Sequence, residues 1–372
     1  QVLINDGTTF NNTGRFNFAS DGVVSENSGN GGNFNNSGTL AKTGGTGTSG
    51  FASQVRFNNL DGGTVDSGTG TGTISLQTQG AHAGVFNLVG NGVQFNAGAH
   101  SFANGATITG SANFSGAAIS SGNTTFNGPV NLSGGTITST GTLTLDGGLN
   151  WNRQATITGG TLNLAAGTTS TFNANTNGGH LVLSGVTLNN AGTVNYTSDG
   201  RQLLINDGTT FNNSGRFNFA SDGNVSENAG FGGTFNNSGT VAKTGGTGSS
   251  GFANFARFNN LNGGIVDSGT GTILLQTDGS HDGVFDIAGS NVRFNASTHT
   301  FAAGATIQGI ANFAGATINT AGATINGPVN LSGGSINQNS NTTLTLNNGL
   351  NWTSGASIAG GTLDLIAGST SS

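Results

Sequence analysis

Apolar side chains alternate with Asn, Thr or Ser along almost the whole chain. Typical segments are residues 16–18 (Phe-Asn-Phe), 149–151 (Leu-Asn-Trp) and 193–196 (Thr-Val-Asn-Tyr). A period of two places successive side chains on opposite sides of an extended strand. Gly-Gly, Asp-Gly and Asn-Gly pairs separate the segments, and these residues accept the backbone angles of tight turns. The pattern predicts short strands and turns, each strand with one buried side.

The chain contains its own sequence twice. Residues 3–68 and 204–269 align without a gap and agree at 54 of 66 positions. The register shifts by two near positions 70–73, and the second copy stops at Ser372, the counterpart of Thr171. We therefore predict a first long repeat unit at residues 1–201 and an incomplete copy at 202–372, stacked in one continuous structure. We also expect the chain to be a section of a longer array.

A shorter period lies inside each unit and is marked by the tripeptide Phe-Asn-Asn. Its three occurrences are separated by nearly equal intervals, and the intervals are the same in both copies. Strands that recur in this way predict a coil in which each turn lies about 4.8 Å from the one before. Phe would stack on Phe inside the coil, and Asn would form an amide ladder at a corner. The predicted ladder residues are Phe10, Phe34, Phe57, Phe211, Phe235 and Phe258, with Asn11, Asn35, Asn58, Asn212, Asn236 and Asn259.

The predicted fold is therefore all-β, a parallel β-helix or β-solenoid with about 20–24 residues per turn. About 20 residues per turn would give roughly 18 turns and a continuous rod about 85 Å long. A β-sandwich, with turn signals about every 8–12 residues, is the competing fold. The regular spacing of Phe-Asn-Asn favours the solenoid, although the register between residues 106 and 190 stays open.

The composition of the chain disfavours or excludes several kinds of partner and site. Only 6% of the residues are charged and the net charge is −6, a balance that disfavours nucleic acid or an anionic membrane as a partner. Cys and Met are absent; this excludes disulfides and thiolate metal ligands, and it suits long residence outside a cell. The sequence has no apolar run of about 18 residues, so no membrane span is predicted.

Few residues are candidates for chemistry. Asp146, Trp151 and Arg153 form the densest cluster, but the first and third become Asn347 and Ser354 in the second copy. We therefore predict no catalytic residue, no cofactor and no metal site. Aromatic residues could also be platforms for sugar rings, but Trp151 is in phase with Leu149 and is expected in the core. Tyr196 and Trp352 are the other aromatic candidates of this kind.

We interpret the recurring charged residues as structural. The only two lysines are Lys42, which follows Asp21 by close to one turn, and Lys243, which follows Asp222 at the same interval. This spacing predicts ion pairs between neighbouring turns on the surface. A Lys–Asn isopeptide crosslink at these lysines is the alternative.

The recurring histidines lack the second ligand that a metal site needs nearby. They are expected in turns or at the surface, at His82, His100, His281 and His299.

In these motifs the chain resembles the secreted bacterial parallel β-helix proteins, which include filamentous-haemagglutinin-like exoproteins, autotransporter passengers and giant repeat adhesins. The likeness is carried by the Phe-Asn-Asn-Ser/Thr-Gly corners and by runs such as residues 156–164, Thr-Ile-Thr-Gly-Gly-Thr-Leu-Asn-Leu. The resemblance implies a location outside a bacterial cell or at its surface. Those families also carry a secretion module or an outer-membrane barrel, and we expect neither within these 372 residues.

We expect a structural extracellular fibre or stalk segment that associates end to end with copies of itself or with further repeats, as in a biofilm matrix. The alternative is an adhesin module whose Asn- and Thr-rich face binds glycans or another cell surface with avidity. A polysaccharide-active β-helix enzyme is disfavoured, because the 372 residues contain only 15 Asp and Glu.

Overall fold

The computed structural model describes residues 1–27, 29–52, 54–66, 72–152, 154–175, 177, 179–228, 230–353, 355–366 and 370–372. Within these ranges every regular element is a strand, and the strands form a parallel β-solenoid of about 16 turns. The predicted fold class is confirmed. The β-sandwich is excluded because the paired strands run parallel, and the one antiparallel bridge described, Asn175 to Gly179, lies outside the named strands' ladders.

The chain forms two compact units, Gln1–Ser170 and Thr171–Ser372. The repeat boundary between residues 201 and 202 is set by sequence similarity, and it stays a prediction. In each unit a turn consists of three strands, which lie on three faces of the coil and pair with the strands of neighbouring turns. We number these faces in the order in which the chain reaches them.

The strands of the first unit are as follows. The first face holds Val2–Leu3, Val23–Ser25, Thr48–Phe51, Thr73–Leu76, Val130–Ser133 and Leu149–Asn152. The second face holds Thr9–Asn12, Asn33–Asn36, Arg56–Asn59, Gly80–His82, Ala99–Phe102, Ala118–Ser121, Thr136–Ser139 and Thr156–Thr158. The third face holds Arg15–Phe18, Thr39–Lys42, Thr64–Asp66, Thr124–Phe126, Thr142–Leu145 and Thr161–Leu164.

The second unit repeats this arrangement. Its first face holds Leu181–Ser184, Leu203–Asn206, Asn224–Ser226, Ser249–Phe252, Thr272–Leu275, Val329–Ser332 and Leu350–Trp352. Its second face holds Thr187–Asn190, Thr210–Asn213, Thr234–Asn237, Arg257–Asn260, Gly279–His281, Thr298–Phe301, Thr317–Thr320, Gly334–Gln338 and Ala356–Ala359. Its third face holds Thr193–Ser198, Arg216–Phe219, Thr240–Lys243, Ile265–Ser268, Thr324–Ile325, Thr343–Leu346 and Thr362–Leu365. The strand Thr169–Ala174 contains the boundary between the units.

Four long strands each pass from the third face to the first. In Val85–Phe95, for example, residues 85–87 pair with the third face and residues 92–95 pair with the first. The others are Thr107–Ser115, Val284–Asn295 and Thr306–Ala314. These strands make the shortest corners, where no loop separates two faces.

The length of a turn varies more than the spacing of Phe-Asn-Asn indicates. Ala118 pairs with Thr136 in one of the shortest turns, whereas Asn224 pairs with Gly251 in one of the longest. The longer turns carry loops at their corners, for example residues 230–233. These loops lengthen the turns that carry them. The chain therefore makes about 16 turns, fewer than the roughly 18 turns predicted from about 20 residues per turn.

The core of each unit is the column of inward side chains from the three faces. Phe, Leu, Val and Ile occupy every second position, and rings such as Phe34, Phe86, Phe211 and Phe285 are fully buried. Outward positions hold mainly Asn, Thr and Ser. Burial of this apolar column, at about 25 cal/mol per Å² removed from water, is the main force that stacks the turns.

Candidate functional site: side-chain ladders and a lateral cleft

The predicted Phe residues lie in register on the second face of each unit. Phe10 pairs with Phe34, and Phe34 with Phe57; the second unit pairs the corresponding residues Phe211, Phe235 and Phe258. The Phe10 and Phe34 rings stack with centroids 4.8 Å apart. Phe34 and Phe57 are tilted and 5.9 Å apart, because the ring of Phe51 from the first face stacks on Phe57 at 4.4 Å. Phe16 of the third face also packs edge-on against Phe34 at 5.2 Å, so the aromatic column is shared by all three faces.

The first Asn of each tripeptide lies on the outer side of its strand, not at a corner as predicted. Its amide forms a ladder there, in which each Nδ2 donates to the Oδ1 of the preceding turn. Asn35 donates to Asn11 at 3.0 Å, and Asn58 donates to Asn35 at 2.9 Å. In the second unit the same ladder joins Asn189, Asn212, Asn236 and Asn259. These side chains are exposed or half-buried, so water competes for their hydrogen bonds.

The corner ladder belongs to the second Asn of the tripeptide, which the sequence analysis did not single out. These side chains are buried, and each Nδ2 donates to the Oδ1 of the following turn. Asn36 donates to Asn59 at 2.8 Å, and Asn237 donates to Asn260 at 2.8 Å. The complete ladders are Asn12, Asn36 and Asn59 in the first unit and Asn190, Asn213, Asn237 and Asn260 in the second. A period of two places this Asn on the same side as the Phe, which is the signal that could have located it.

The Asn237→Ala substitution should remove much of this support. Asn237 accepts a hydrogen bond from Asn213 and donates to Asn260 and to the Ile265 carbonyl. Alanine would leave these buried groups unpaired, and we expect a loss of about 2–4 kcal/mol in the free energy of unfolding. Urea unfolding of the variant and of the wild-type chain measures this loss. The neighbour Asn236→Ala is the matched control with an expected loss of about 0.5–1 kcal/mol, and equal losses for the two variants would contradict the assignment.

The four recurring histidines are buried in the core, so their predicted placement in turns or at the surface is wrong. They form two pairs: His82 Nε2 lies 3.1 Å from His100 Nδ1, and His281 Nε2 lies 3.2 Å from His299 Nδ1. His100 Nε2 lies 3.0 Å from the Ala97 carbonyl oxygen. Since that oxygen can only accept, His100 Nε2 carries a proton, and its Nδ1 accepts the proton of His82 Nε2.

Burial keeps these imidazoles neutral. Desolvation lowers the pKa of His82 and of His281 well below the ordinary value of 6.5, and the neighbouring imidazole adds to the shift. Desolvation also lowers the pKa of His100 and His299 to about 4. Phe rings surround each pair; His82 contacts Phe57, Phe86, Phe95 and Phe102, among others. The pairs are therefore polar members of the aromatic column.

The predicted ion pairs between turns are present, but the lysines are buried. Lys42 Nζ lies 2.7 Å from Asp21 Oδ1, and Lys243 Nζ lies 2.6 Å from Asp222 Oδ1. The hydrogen bond from each lysine is the main reason that the pKa of its Asp is lowered. Lys42 also donates to the Gly44 carbonyl and to Ser49 Oγ. These described partners do not include the Asn amide that a Lys–Asn crosslink requires.

Of the remaining aromatic candidates from the sequence, Tyr196 and Trp151 are structural, whereas Trp352 is 45% exposed. Tyr196 is buried, its hydroxyl donates to the Asn224 carbonyl and accepts from Leu203 N, and burial raises its pKa. It is therefore inaccessible as a platform for sugar rings. Trp151 is buried and donates to the Ala155 carbonyl. Arg153 and Ser354 of the proposed cluster lie outside the described residues.

A lateral cleft of about 430 Å³ opens at the corner between the first and second faces of the second unit. It crosses four successive turns and is lined by Phe231, Phe255, Arg257, Gln276, Asp278 and Ser297, among others. Phe231 is 97% exposed and Phe255 is 69% exposed. They are the two most exposed large apolar side chains in the described part of the chain. The sequence analysis missed this cleft, because its residues come from four separate corners.

The backbone around the cleft is strained. Six non-glycine residues in the described ranges have positive φ, and four of them line this cleft: Asn254, Phe255, Ala296 and Ser297. For a bulky residue such as Phe255, at φ 66°, this conformation is disfavoured. Close packing of turns holds it in place, because a side chain at Gly232 would overlap the Phe255 carbonyl oxygen.

The same corner of the first unit carries a cleft of about 400 Å³ with a different lining. Sequence alignment places Asn30 at the position of Phe231, Gln54 at that of Phe255 and Gln79 at that of Asp278. Gln54 has the same left-handed conformation as Phe255, at φ 71°. The left-handed corner at Gln54 and Phe255 is thus common to both units. The positive φ of Ala296 is not shared by its counterpart Ala97, and the two exposed rings and the carboxylate are specific to the second unit.

Comparisons with protein-family models, with curated proteins and with solved structures found no match for this chain. The β-solenoid part of the resemblance to bacterial exoproteins is confirmed by the fold. Within the described ranges no three His, Cys, Asp or Glu side chains are grouped so that they could hold a metal ion. No described helix is long and apolar enough to cross a membrane.

Proposed function

We propose that this chain is a structural segment of an extracellular fibre or stalk at a bacterial surface. The observation that carries the proposal is the pair of amide ladders beside a continuous aromatic column in each unit. The ladders join the Phe-Asn-Asn turns of each unit, and the stacked apolar side chains of the core continue through the other turns. A solenoid of this kind lengthens by addition of repeats without a change in cross-section.

Composition supports an extracellular location. A chain without Cys or Met has neither of the side chains that oxidise most readily. The amide and aromatic ladders use no redox-sensitive or metal-dependent contact. Stability outside a cell therefore depends on packing and hydrogen bonds alone.

End-to-end association is the second part of the proposal. The last strand on the third face, Thr362–Leu365, pairs with Thr343–Leu346 on one side only among the described residues. Leu365 and Ile366 beside it, and Trp352 on the first face, are each at least 40% exposed. An apolar strand with one unpaired edge is a template for another strand. We infer that copies of this chain associate end to end through this edge.

Electron microscopy and sedimentation over a range of concentrations test the association. We expect filaments that lengthen with concentration, and we expect Trp352→Lys with Leu365→Lys to abolish them, because charge on an exposed edge prevents strand addition. The control places the same charges on an outward side, as Ser120→Lys with Thr138→Lys, and should still assemble. Monomers at every concentration, or equal loss in the control, would contradict end-to-end association.

A further inference from the structure

We propose that the lateral cleft of the second unit binds a neutral oligosaccharide chain, with Phe231 and Phe255 as the platforms on which sugar rings stack. This inference goes beyond the structural role, since a stalk requires no ligand. It also differs from binding by the Asn- and Thr-rich face, because it places the ligand at one corner of one unit.

The shape of the cleft fits an elongated ligand. Its lining comes from four successive turns, so it extends over three spacings of about 4.8 Å, or about 14 Å along the second unit. A volume of about 430 Å³ is within the range of small-molecule sites. The cleft is open at its sides, as a site for a segment of a long chain would be.

The exposure of two aromatic rings is the strongest indication of a ligand. All the other phenylalanines whose side chains are described lie in the core or, like Phe10, in an outermost turn. Phe231 and Phe255 project from a corner that their own backbone fixes, since Phe231 N and Gly232 N donate to Asp207 Oδ1 at 2.7 and 3.0 Å. The backbone that carries the Phe231 ring is thus fixed before any ligand binds, which lowers the entropic cost of ordering this corner on binding.

The strained backbone supports the same conclusion. Residues held at positive φ are strained, and they cluster at ligand sites because the strain fixes a functional geometry. Here such residues are Asn254 and Phe255 on one wall and Ala296 and Ser297 on the other. Gln54 of the first unit shares the conformation of Phe255, so that part belongs to the corner itself. The strain at Ala296 and Ser297 is particular to the second unit, because the first unit has Gly98 at the position of Ser297 and no positive φ at Ala97.

Polar groups around the rings favour a neutral sugar over a charged ligand. Arg257 and Asp278 carry opposite charges, and Gln276 and Ser297 add an amide and a hydroxyl to the lining. Asp278 is held in position by Thr298 N, which donates to its Oδ1 at 2.8 Å. Sugar hydroxyls both donate and accept, so they can pair with all of these groups. The apolar C–H side of a sugar ring can cover the Phe faces.

A peptide is a less suitable occupant. Extended peptides usually bind by adding a strand to a free sheet edge. On the sides of this unit the backbone groups of the strands pair with the turns above and below; for example, Arg257 N donates to Gly233 O, and Phe258 N donates to Asp278 O. The cleft therefore offers side chains but no free strand edge.

The two units provide a matched pair of variants. Phe231→Asn, Phe255→Gln and Asp278→Gln together give the second cleft the side chains that the first unit already carries at the same corner. This triple variant should unfold at the wild-type temperature. The reciprocal variant, Asn30→Phe with Gln54→Phe and Gln79→Asp, transfers the proposed site to the first unit.

Binding is measured by calorimetry with soluble oligomers of glucose, xylose, mannose and N-acetylglucosamine of increasing length. Saturation-transfer NMR then identifies the sugar protons that contact the protein. We expect affinity to increase with length up to the span of the cleft, with saturation strongest at the ring C–H protons. The triple variant should bind about 100-fold more weakly, at about tenfold for each ring lost. The reciprocal variant should add a second site.

The proposal is overturned if none of these oligomers binds the wild-type chain. It is also overturned if the folded triple variant retains wild-type affinity, or if random peptides compete for the cleft and sugars do not. None of these results affects the test of filament formation, so failure of the sugar-binding proposal is distinguishable from failure of the structural role.

Discussion

Lowering the pH from about 7 to about 4 is expected to destabilise each unit strongly through its buried histidine pair. The pKa values of these imidazoles lie below the ordinary value of 6.5, in the case of His100 and His299 at about 4. Between these limits the unfolded chain binds protons that the folded chain excludes. The stability from neutral histidine is therefore complete above pH 6.5 and is lost as the pH falls toward 4.

The size of this loss of stability follows from the size of the histidine pKa shifts. One pKa unit corresponds to about 1.4 kcal/mol, so His100 and His299 would each contribute up to about 3 kcal/mol. His82 and His281, which face the same pairs, add to this loss. Asp278 is the acidic group near His299 that acts in the opposite direction, raising its pKa.

Urea unfolding at several pH values measures the dependence. A variant with His281→Leu and His299→Leu should lose the part that belongs to the second unit, because leucine in the aromatic column binds no proton. Asp21 and Asp222, whose pKa values are lowered, lose their contribution only below about pH 4. An unfolding midpoint that stays constant between pH 6.5 and 4.5 would contradict the prediction, as would an unchanged dependence in the double variant.

Gly251→Ala is expected to cause the largest loss of any single substitution considered. Gly251 lies in the middle of Ser249–Phe252 and pairs with Leu274 of the next turn. A Cβ atom there would overlap the Leu274 carbonyl oxygen. The atoms that this Cβ would meet, O, C and N of Leu274, all belong to the backbone and cannot rotate away. The turns must therefore separate, and we expect a loss of about 4 kcal/mol or more in the free energy of unfolding.

Gly269→Ala is the matched control for this substitution. Its Cβ would meet the Lys243 carbonyl oxygen at 3.5 Å, which is ordinary van der Waals contact. We expect a change within about 0.5 kcal/mol. Thermal and urea unfolding of the two variants give the comparison, and a Gly251→Ala protein as stable as the control would show that the turns do not approach as closely as described.

The sequence predicted the fold because the relevant signals are local. Alternation of apolar and polar residues identifies strands, and the interval between copies of Phe-Asn-Asn identifies a coil with parallel turns. The Phe residues at 10, 34 and 57 lie in register because the turns that join them have nearly equal length. Where the chain repeats at a steady interval, the sequence alone is sufficient to predict which residues pair in neighbouring turns.

The burial of the histidines could not be predicted in this way. His82 pairs with Asn59 of the preceding turn and with Phe102 of the following turn, and the second of these intervals is shorter than the first. The change in turn length brings His100 beside His82, and nothing in the local sequence indicates it. The buried Asn237 was missed for a different reason: the corner ladder was assigned to the first Asn of the tripeptide, Asn236, although a period of two places the second Asn inside with Phe235.

The cleft is the least predictable feature, because it depends on which corners lie above one another. Phe231 and Phe255 belong to different turns, and Asp278 belongs to a third. Each corner alone resembles an ordinary Gly- and Asn-rich turn. Only the internal duplication gives a hint, since Asn30 and Gln54 show that the rings are not needed for the fold.

The opposite directions of the two amide ladders have an electrostatic consequence. In the outer ladder each amide donates toward the preceding turn, as Asn236 does to Asn212; in the buried ladder each donates toward the following turn, as Asn237 does to Asn260. A single ladder of aligned dipoles would accumulate partial charge at its two ends, as the peptide dipoles of a helix do. Where these two ladders run side by side, their dipoles largely cancel. The outer Asn ladders of later turns, such as Asn330 to Asn312, all donate toward the preceding turn, so each turn added there increases the partial charge at the two ends of the ladder.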